Sequence, residues 1–98
     1  MEYLNLGEAA RELAGAVIAE RRAPLTAAGL RTTVQVKRWS ANDSENSELR
    51  IAFWRENALI DVLEDFIVQD GVAVASLADL RQWLAQGVDA VLNENRGT

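Results

Sequence analysis

The residues that could carry chemistry in this chain are carboxylates, because the sequence contains no histidine and no cysteine. Asp61, Glu64 and Asp65 lie close together, and such a group could transfer protons or bind a divalent cation through oxygen ligands. The polar side of a surface element explains the same run without any chemistry. We therefore predict no catalytic residue, no metal site and no cofactor, and we expect that the protein is not an enzyme.

Motifs for nucleotide binding and for serine hydrolysis are also missing. The six glycines form neither a phosphate-binding loop nor a dinucleotide fingerprint. No serine lies in a Gly-x-Ser-x-Gly turn, and a serine nucleophile would lack the usual histidine partner. The expected function is therefore binding rather than catalysis.

A basic segment interrupts an otherwise acidic chain. The net charge is -5, yet residues 21–42 contain five bases and no acid. One hypothesis is that the segment meets acidic residues of the same chain or is solvated. The alternative function is that of a small-ligand or anion-binding protein. The residues predicted for that anion site are Arg21, Arg22, Lys37 and Arg38.

Length and composition fit one soluble domain. At 98 residues, with 49% hydrophobic and 26% charged residues and a single proline, the chain can build one core. No apolar run approaches the roughly 20 residues of a membrane-spanning helix. The first eight residues do not resemble a secretory signal. We predict a single domain over residues 1–98, with no membrane partner and a cytoplasmic location.

Helices are predicted at both ends of the chain. A capping-box pattern starting at Asn5 precedes small apolar residues at helical spacing. Pro24 should end this helix or kink it into a turn. A second capping signature at Ser76 precedes a helix predicted over residues 77–93, and the tail of residues 94–98 should fray.

The middle of the chain predicts three strands. Residues 32–39 and 48–55 alternate between apolar and polar side chains, and the polar residues 40–47 between them are predicted to be a mobile loop. Residues 58–68 fit either a strand or a helix. We favour the strand because a two-residue turn at positions 56–57 aligns its apolar face with that of the preceding strand.

The order helix, three strands, helix predicts an α+β fold, α-β-β-β-α, with a three-stranded antiparallel meander and both helices packed on one face. This order resembles that of double-stranded-RNA-binding domains. Residues 76–81, at the start of the second helix, contain one base and one acid where those domains carry several lysines. The resemblance is one of element order and implies no RNA binding, and we predict no nucleic-acid partner.

The other face of the predicted sheet carries large apolar side chains. The predicted register places Trp54 opposite Leu59 and Arg50 opposite Leu63 on this face. A connecting segment of the same chain could cover it. Otherwise it is an interface, because soluble proteins seldom leave such a patch in water. We predict an interaction module that forms a homodimer or docks a protein partner. Its predicted binding residues are Trp39, Arg50, Trp54, Leu59, Asp61 and Leu63.

Overall fold

The chain forms a four-stranded antiparallel sheet with two long helices against one of its faces. The computed structural model describes residues 2–95, with side chains from residue 6 onward. Its elements are α1 (Glu2–Glu20), α2 (Arg22–Ala27), β1 (Arg31–Ala41), β2 (Ser44–Arg55), β3 (Ala58–Gln69), β4 (Val72–Ala73) and α3 (Leu77–Asn95). The strands lie in the order β1-β2-β3-β4. The predicted α+β meander is confirmed, with β4 as an additional short edge strand.

Both long helices bury one apolar stripe. In α1 the stripe consists of the fully buried residues Ala10, Ala14 and Val17. Their small size lets α1 lie close to the sheet: a Cβ added to Gly7 would be 3.4 Å from Val36 Cγ1 on β1. In α3 the stripe has larger members at helical spacing. They are Leu80, Leu84, Val88, Val91 and Leu92.

The helix ends follow the sequence signals in part. Ser76 Oγ accepts a hydrogen bond from the Asp79 amide at 3.1 Å, so the predicted cap of α3 is confirmed. The predicted start of α1 is wrong: the helix begins at Glu2, and Asn5 lies inside it because helix-favouring residues precede it. At the other end α3 continues to Asn95, and the rest of the predicted frayed tail lies outside the described residues.

The first helix is interrupted close to Pro24, as predicted, and the chain continues as the short helix α2. α1 stops at Glu20, and Pro24 lies in the first turn of α2, where an amide hydrogen would have no partner within the helix. The chain leaves α2 through Gly29, whose φ is +73°. The Leu30 amide then donates to the Leu25 carbonyl at 2.9 Å. β1 begins directly after this reversal of the chain, and the two leucines that precede it, Leu25 and Leu30, are buried.

The segment predicted as a mobile loop, residues 40–47, is instead two strand ends joined by a two-residue turn. Asn42 and Asp43 occupy the turn with φ values of 52° and 63°. Left-handed pairs of this kind match the twist of a hairpin, and Asn and Asp tolerate them well. The polar residues that follow join the sheet because the β3–β4 turn buries Asn46, whose Oδ1 accepts from the Asp70 amide at 2.9 Å.

The segment that fitted either a strand or a helix is the strand β3. It follows β2 through the predicted two-residue turn at Glu56 and Asn57. Trp54 lies opposite Leu59, as predicted. Beyond this pair the predicted register is wrong by one residue.

Two bulges in β3 cause the shift. The first lies at Ile60, and beyond it Arg50 faces Glu64 instead of the predicted Leu63. The second lies at Ile67, which is buried together with its successor. A bulge sets two consecutive residues against one partner residue. β3 therefore sends apolar side chains to the helices at intervals of three and four residues, which is why its sequence also fits a helical period.

The acids of β3 have structural partners. Asp61 Oδ1 accepts from the Val62 amide at 2.8 Å, and Asp65 Oδ1 accepts from the Phe66 amide at 2.8 Å. In the part of the chain that the structure describes, β4 pairs only with the last two residues of β3, so no strand lies beside these two amides at the edge of the sheet. The carboxylates thus occupy donors that the sheet leaves free.

The molecule has two layers. Phe53 and Leu49 of β2 are fully buried under the helices. α3 approaches β3 at Gly87, where an added Cβ would be 2.8 Å from Leu63 Cδ1. The Cα extents are 46 × 26 × 17 Å, and the shortest leaves no room for a third layer. Within the described residues, no helix combines the length and the apolar character needed to cross a membrane.

Candidate protein-binding face

The sheet face away from the helices, the open face, is formed by side chains that alternate with those of the core. They are Thr33, Gln35, Lys37 and Trp39 on β1, Glu48, Arg50, Ala52 and Trp54 on β2, and Leu59, Val62, Glu64 and Phe66 on β3. All four residues on β1 are exposed. No connecting segment of the described chain therefore covers this face.

Trp54 is held in one orientation at one end of the open face. Its indole Nε1 donates to Thr33 Oγ1 at 3.1 Å. The Arg31 guanidinium lies 5.5 Å from the ring centroid, within cation–π range. Arg31 is fixed in turn by a hydrogen bond of 3.2 Å to the Glu56 carbonyl. Leu59, opposite Trp54, is 49% exposed. This end presents an oriented aromatic ring beside an exposed aliphatic side chain.

A shallow concavity of about 210 Å³, the Ala52 concavity, lies next to Trp54. Its floor is Ala52, whose methyl group does not fill the space between the larger residues on either side along β2. Its lining consists of Thr33, Gln35, Arg50, Ala52, Trp54 and Leu59. An apolar floor, an aromatic wall and a polar rim suit one projecting side chain of a partner.

A second aromatic pair occupies the opposite end of the open face. Trp39 on β1 and Phe66 on β3 reach toward each other across β2, with ring centroids 6.0 Å apart and planes tilted by 54°. Trp39 is 40% exposed. Phe66 is absent from the predicted site because a β3 strand without bulges would place its side chain in the core. The bulge at Ile60 moves this side chain to the open face. The available signal was Glu64, which an unbroken strand would also bury.

The centre of the open face carries balanced charge. Arg50 Nε lies 3.7 Å from Glu64 Oε2. Lys37 lies directly opposite Glu48 on the paired strands β1 and β2. These two bases and two acids cancel, although the whole chain carries a net charge of -5. Another protein surface can therefore approach here without strong repulsion.

Four of the residues predicted for partner binding lie on the open face, namely Trp39, Arg50, Trp54 and Leu59. The predicted placement of Leu63 and Asp61 on this face is wrong. Leu63 lies opposite the core residue Ile51 and packs beside Gly87 of α3. Asp61 lies on the same helix-facing side and bonds a backbone amide. Both displacements follow from the bulge at Ile60, which exchanges the two sides of β3.

The four cations of the alternative anion site do not come together. Arg21 Nε lies 2.7 Å from an Asp89 oxygen on α3. Arg38 pairs with an acid of β2 at 3.0 Å. Lys37 belongs to the open face, whereas Arg22 is exposed on α2. For Arg21 and Arg38 the geometry favours the hypothesis that the basic segment meets acids of the same chain.

Ion pairs connect the end of α1 to α3. Glu20 accepts a hydrogen bond of 2.6 Å from Arg81 and lies 3.2 Å from Arg21. The bond from Arg81 lowers the pKa of Glu20. The bond to Asp89 raises the pKa of Arg21 above its ordinary value. These groups stabilise the contact between the two helices, on the side of the sheet away from the open face.

The three acids considered above for cation binding, Asp61, Glu64 and Asp65, do not come together. The described residues contain no group of three acidic side chains placed to hold a metal ion. Asp61 and Asp65 bond amides of their own strand, and Glu64 pairs with Arg50.

No family model, curated protein or solved structure matches the chain.

Proposed function

We propose that this chain is a protein-interaction module whose open face binds another protein chain. The observation that carries the proposal is an uncovered sheet face with aromatic and aliphatic side chains at both ends and balanced charges between them. Trp39 and Leu59 are 40% and 49% exposed, although each lies next to another large apolar side chain. Exposed apolar patches framed by polar residues are typical of interfaces.

Trp54 has the properties of an interface anchor. Tryptophan is among the residues that contribute most to binding energy. The hydrogen bond to Thr33 and the cation–π contact with Arg31 already fix the ring of Trp54, so binding costs little further side-chain entropy. The Ala52 concavity beside it supplies a socket for a side chain of the partner. Ring and socket together supply shape complementarity at this end of the face.

The open face is small for a permanent interface. Three strands about 4.8 Å apart, each contributing roughly nine residues at about 3.3 Å, give a footprint of roughly 400 Å² per partner. Standard interfaces bury about 800 Å² per partner, and transient ones bury less. We therefore expect reversible binding of modest affinity.

Site-specific photocrosslinking in the expressing cell tests this proposal. A photoreactive phenylalanine derivative replaces Leu59 on the open face. In a matched control variant the same derivative replaces Leu77 at the start of α3, because Leu77 is exposed to a similar extent (42%). We expect protein adducts from the Leu59 position and none from the Leu77 position.

A second substitution links the adducts to the whole face. Trp39→Asp, at the far end of the open face, should suppress the adducts formed at Leu59, because it places a charge inside the interface. Adducts from the Leu77 position alone, or from neither position, would contradict the proposal.

A further inference from the structure

We infer that the protein bound by the open face is a second copy of this chain, and that Trp39 of each copy fills the Ala52 concavity of the other. The inference rests on the proposed function and names its partner. The two copies pack open face to open face about a two-fold axis that lies between the sheets, perpendicular to the strands. The sheets are then about 10 Å apart with their strands roughly aligned.

The spacing of residues along β2 fits this axis. Trp39 lies opposite Asn46, and Thr33 lies opposite Ala52. Each of these pairs forms one row across the sheet. The two rows are six residues apart along β2, which corresponds to roughly 20 Å. Their midpoint lies at Leu49. A two-fold axis at this midpoint exchanges the rows, so it brings each Trp39 to the concavity of the other copy.

The Ala52 concavity has the size to accept an aromatic ring. A cavity of about 150 Å³ accommodates benzene, and this concavity measures about 210 Å³. Trp39 already leans over β2, because its ring lies 6.0 Å from that of Phe66 on β3. Ala52 is also on β2, and the two-fold axis keeps β2 over β2. Ring and concavity therefore face each other.

The same axis pairs opposite charges between the copies. The rows on either side of the midpoint are Lys37 with Glu48 and Gln35 with Arg50. The axis places Glu48 of one copy opposite Arg50 of the other, and this contact occurs twice. An axis running along β2 instead places Arg50 against Arg50. The charge pattern thus selects the perpendicular axis.

Two charge-reversal variants test the arrangement. Glu48→Arg and Arg50→Glu each place like charges at both contacts of their own homodimer. A mixed dimer of the two variants restores opposite charges at both contacts. By sedimentation equilibrium we expect the native chain to dimerise with rising concentration and each variant alone to associate at least tenfold more weakly. The equimolar mixture should recover dimerisation, and high salt should weaken it.

Further variants separate association from folding. At protein concentrations low enough for the native chain to be monomeric, circular dichroism and thermal unfolding of both charge variants should match the native chain, because a solvent-accessible ion pair such as Arg50–Glu64 adds little to stability. Ala52→Leu fills the concavity and should weaken dimerisation at least tenfold. The matched substitution Ala90→Leu, at an exposed position of α3, should leave dimerisation unchanged.

Two results would overturn the inference without touching the proposed function. The first is a native chain that stays monomeric at every concentration while the Leu59 position forms adducts with a different protein. The second is a native chain that dimerises while the mixture of charge variants does not. A monomeric chain with no protein adduct at Leu59 would instead remove the proposed function itself.

Discussion

Gly87 shows how a single residue sets the distance between a helix and the sheet. A Cβ at this position would lie 2.8 Å from Leu63 Cδ1 and 3.3 Å from Leu63 Cδ2. Glycine inside a helix costs about 1 kcal/mol relative to alanine. The contact with Leu63 explains why it is present here: without a side chain on Gly87, α3 can rest directly on β3.

We expect Gly87→Ala to give no gain in stability, because the added methyl group displaces Leu63 and offsets the better helix propensity. In a Leu63→Ala background the same substitution should stabilise the protein by about 1 kcal/mol. Urea unfolding of the double-mutant cycle measures the coupling, expected to be at least about 0.5 kcal/mol. Gly15→Ala on α1, where nothing lies within 4 Å of an added Cβ, is the control and should stabilise the native chain. Additive effects at Gly87 and Leu63 would show that the two residues do not touch.

At the scale of elements, β3 explains which parts of the sheet were predictable. The turn after β2 and the pairing of Trp54 with Leu59 follow from alternation next to a turn, so local sequence suffices. The bulge at Ile60 has no glycine that marks its position, and the one signal for it is Glu64, which a strand without a bulge would bury. The bulge exchanges the two sides of the strand, and for this reason Leu63 and Asp61 were expected on the wrong face.

The prediction of a loop over residues 40–47 failed for a different reason. The composition of this segment is polar, as loops usually are. Its strand conformation depends on Asn46, which is buried by the turn at Asp70, more than twenty residues later in the chain. A local pattern cannot show a contact at that separation.

The turn between β2 and β3 contains a strained residue. Glu56 has a φ of +57°, where a residue with a Cβ pays roughly 1–2 kcal/mol. Glu56→Gly should therefore raise the free energy of unfolding by about 0.5–1 kcal/mol, measured by chemical denaturation. The bond from Arg31 survives, since it is made to the Glu56 backbone carbonyl. Asn57→Gly, at a position without positive φ, should give no gain. Equal gains at both positions would argue against strain at Glu56.

At the scale of the whole molecule, stability depends on how α1 and α3 hold each other against the sheet. The apolar stripes of both helices were predictable, because they follow the helical period within short segments. The polar link was not: Glu20 bonds Arg81, which lies 61 positions away along the chain. Pairs of this kind are exposed and individually weak, yet they fix the end of α1 relative to α3.

The ion pair between Glu20 and Arg81 should make the stability of the protein slightly dependent on pH in the acid range. The bond from Arg81 lowers the pKa of Glu20 from 4.5. Its contribution is therefore present above the unfolded-state pKa and is lost as the pH falls through the lower folded-state pKa. We expect Glu20→Gln to lower the urea midpoint slightly at neutral pH and to have no effect at about pH 2.

The matched control is Glu12→Gln, at an exposed position of α1 that forms no ion pair among the described residues. It should leave the midpoint unchanged at both pH values. A Glu20→Gln effect of the same size in acid would contradict the role assigned to the Arg81 bond.

The carboxylates on the rim of β3 have a consequence for growth of the sheet. Asp61 and Asp65 already occupy outward-facing amides of that strand, so an incoming strand finds those donors taken. The opposite rim, β1, carries three bases, and two such rims would repel each other. These bases are Arg31, Lys37 and Arg38. Growth of the sheet is therefore opposed differently at its two rims: two β1 rims repel each other, and a strand arriving at β3 finds two of its hydrogen-bond donors already occupied.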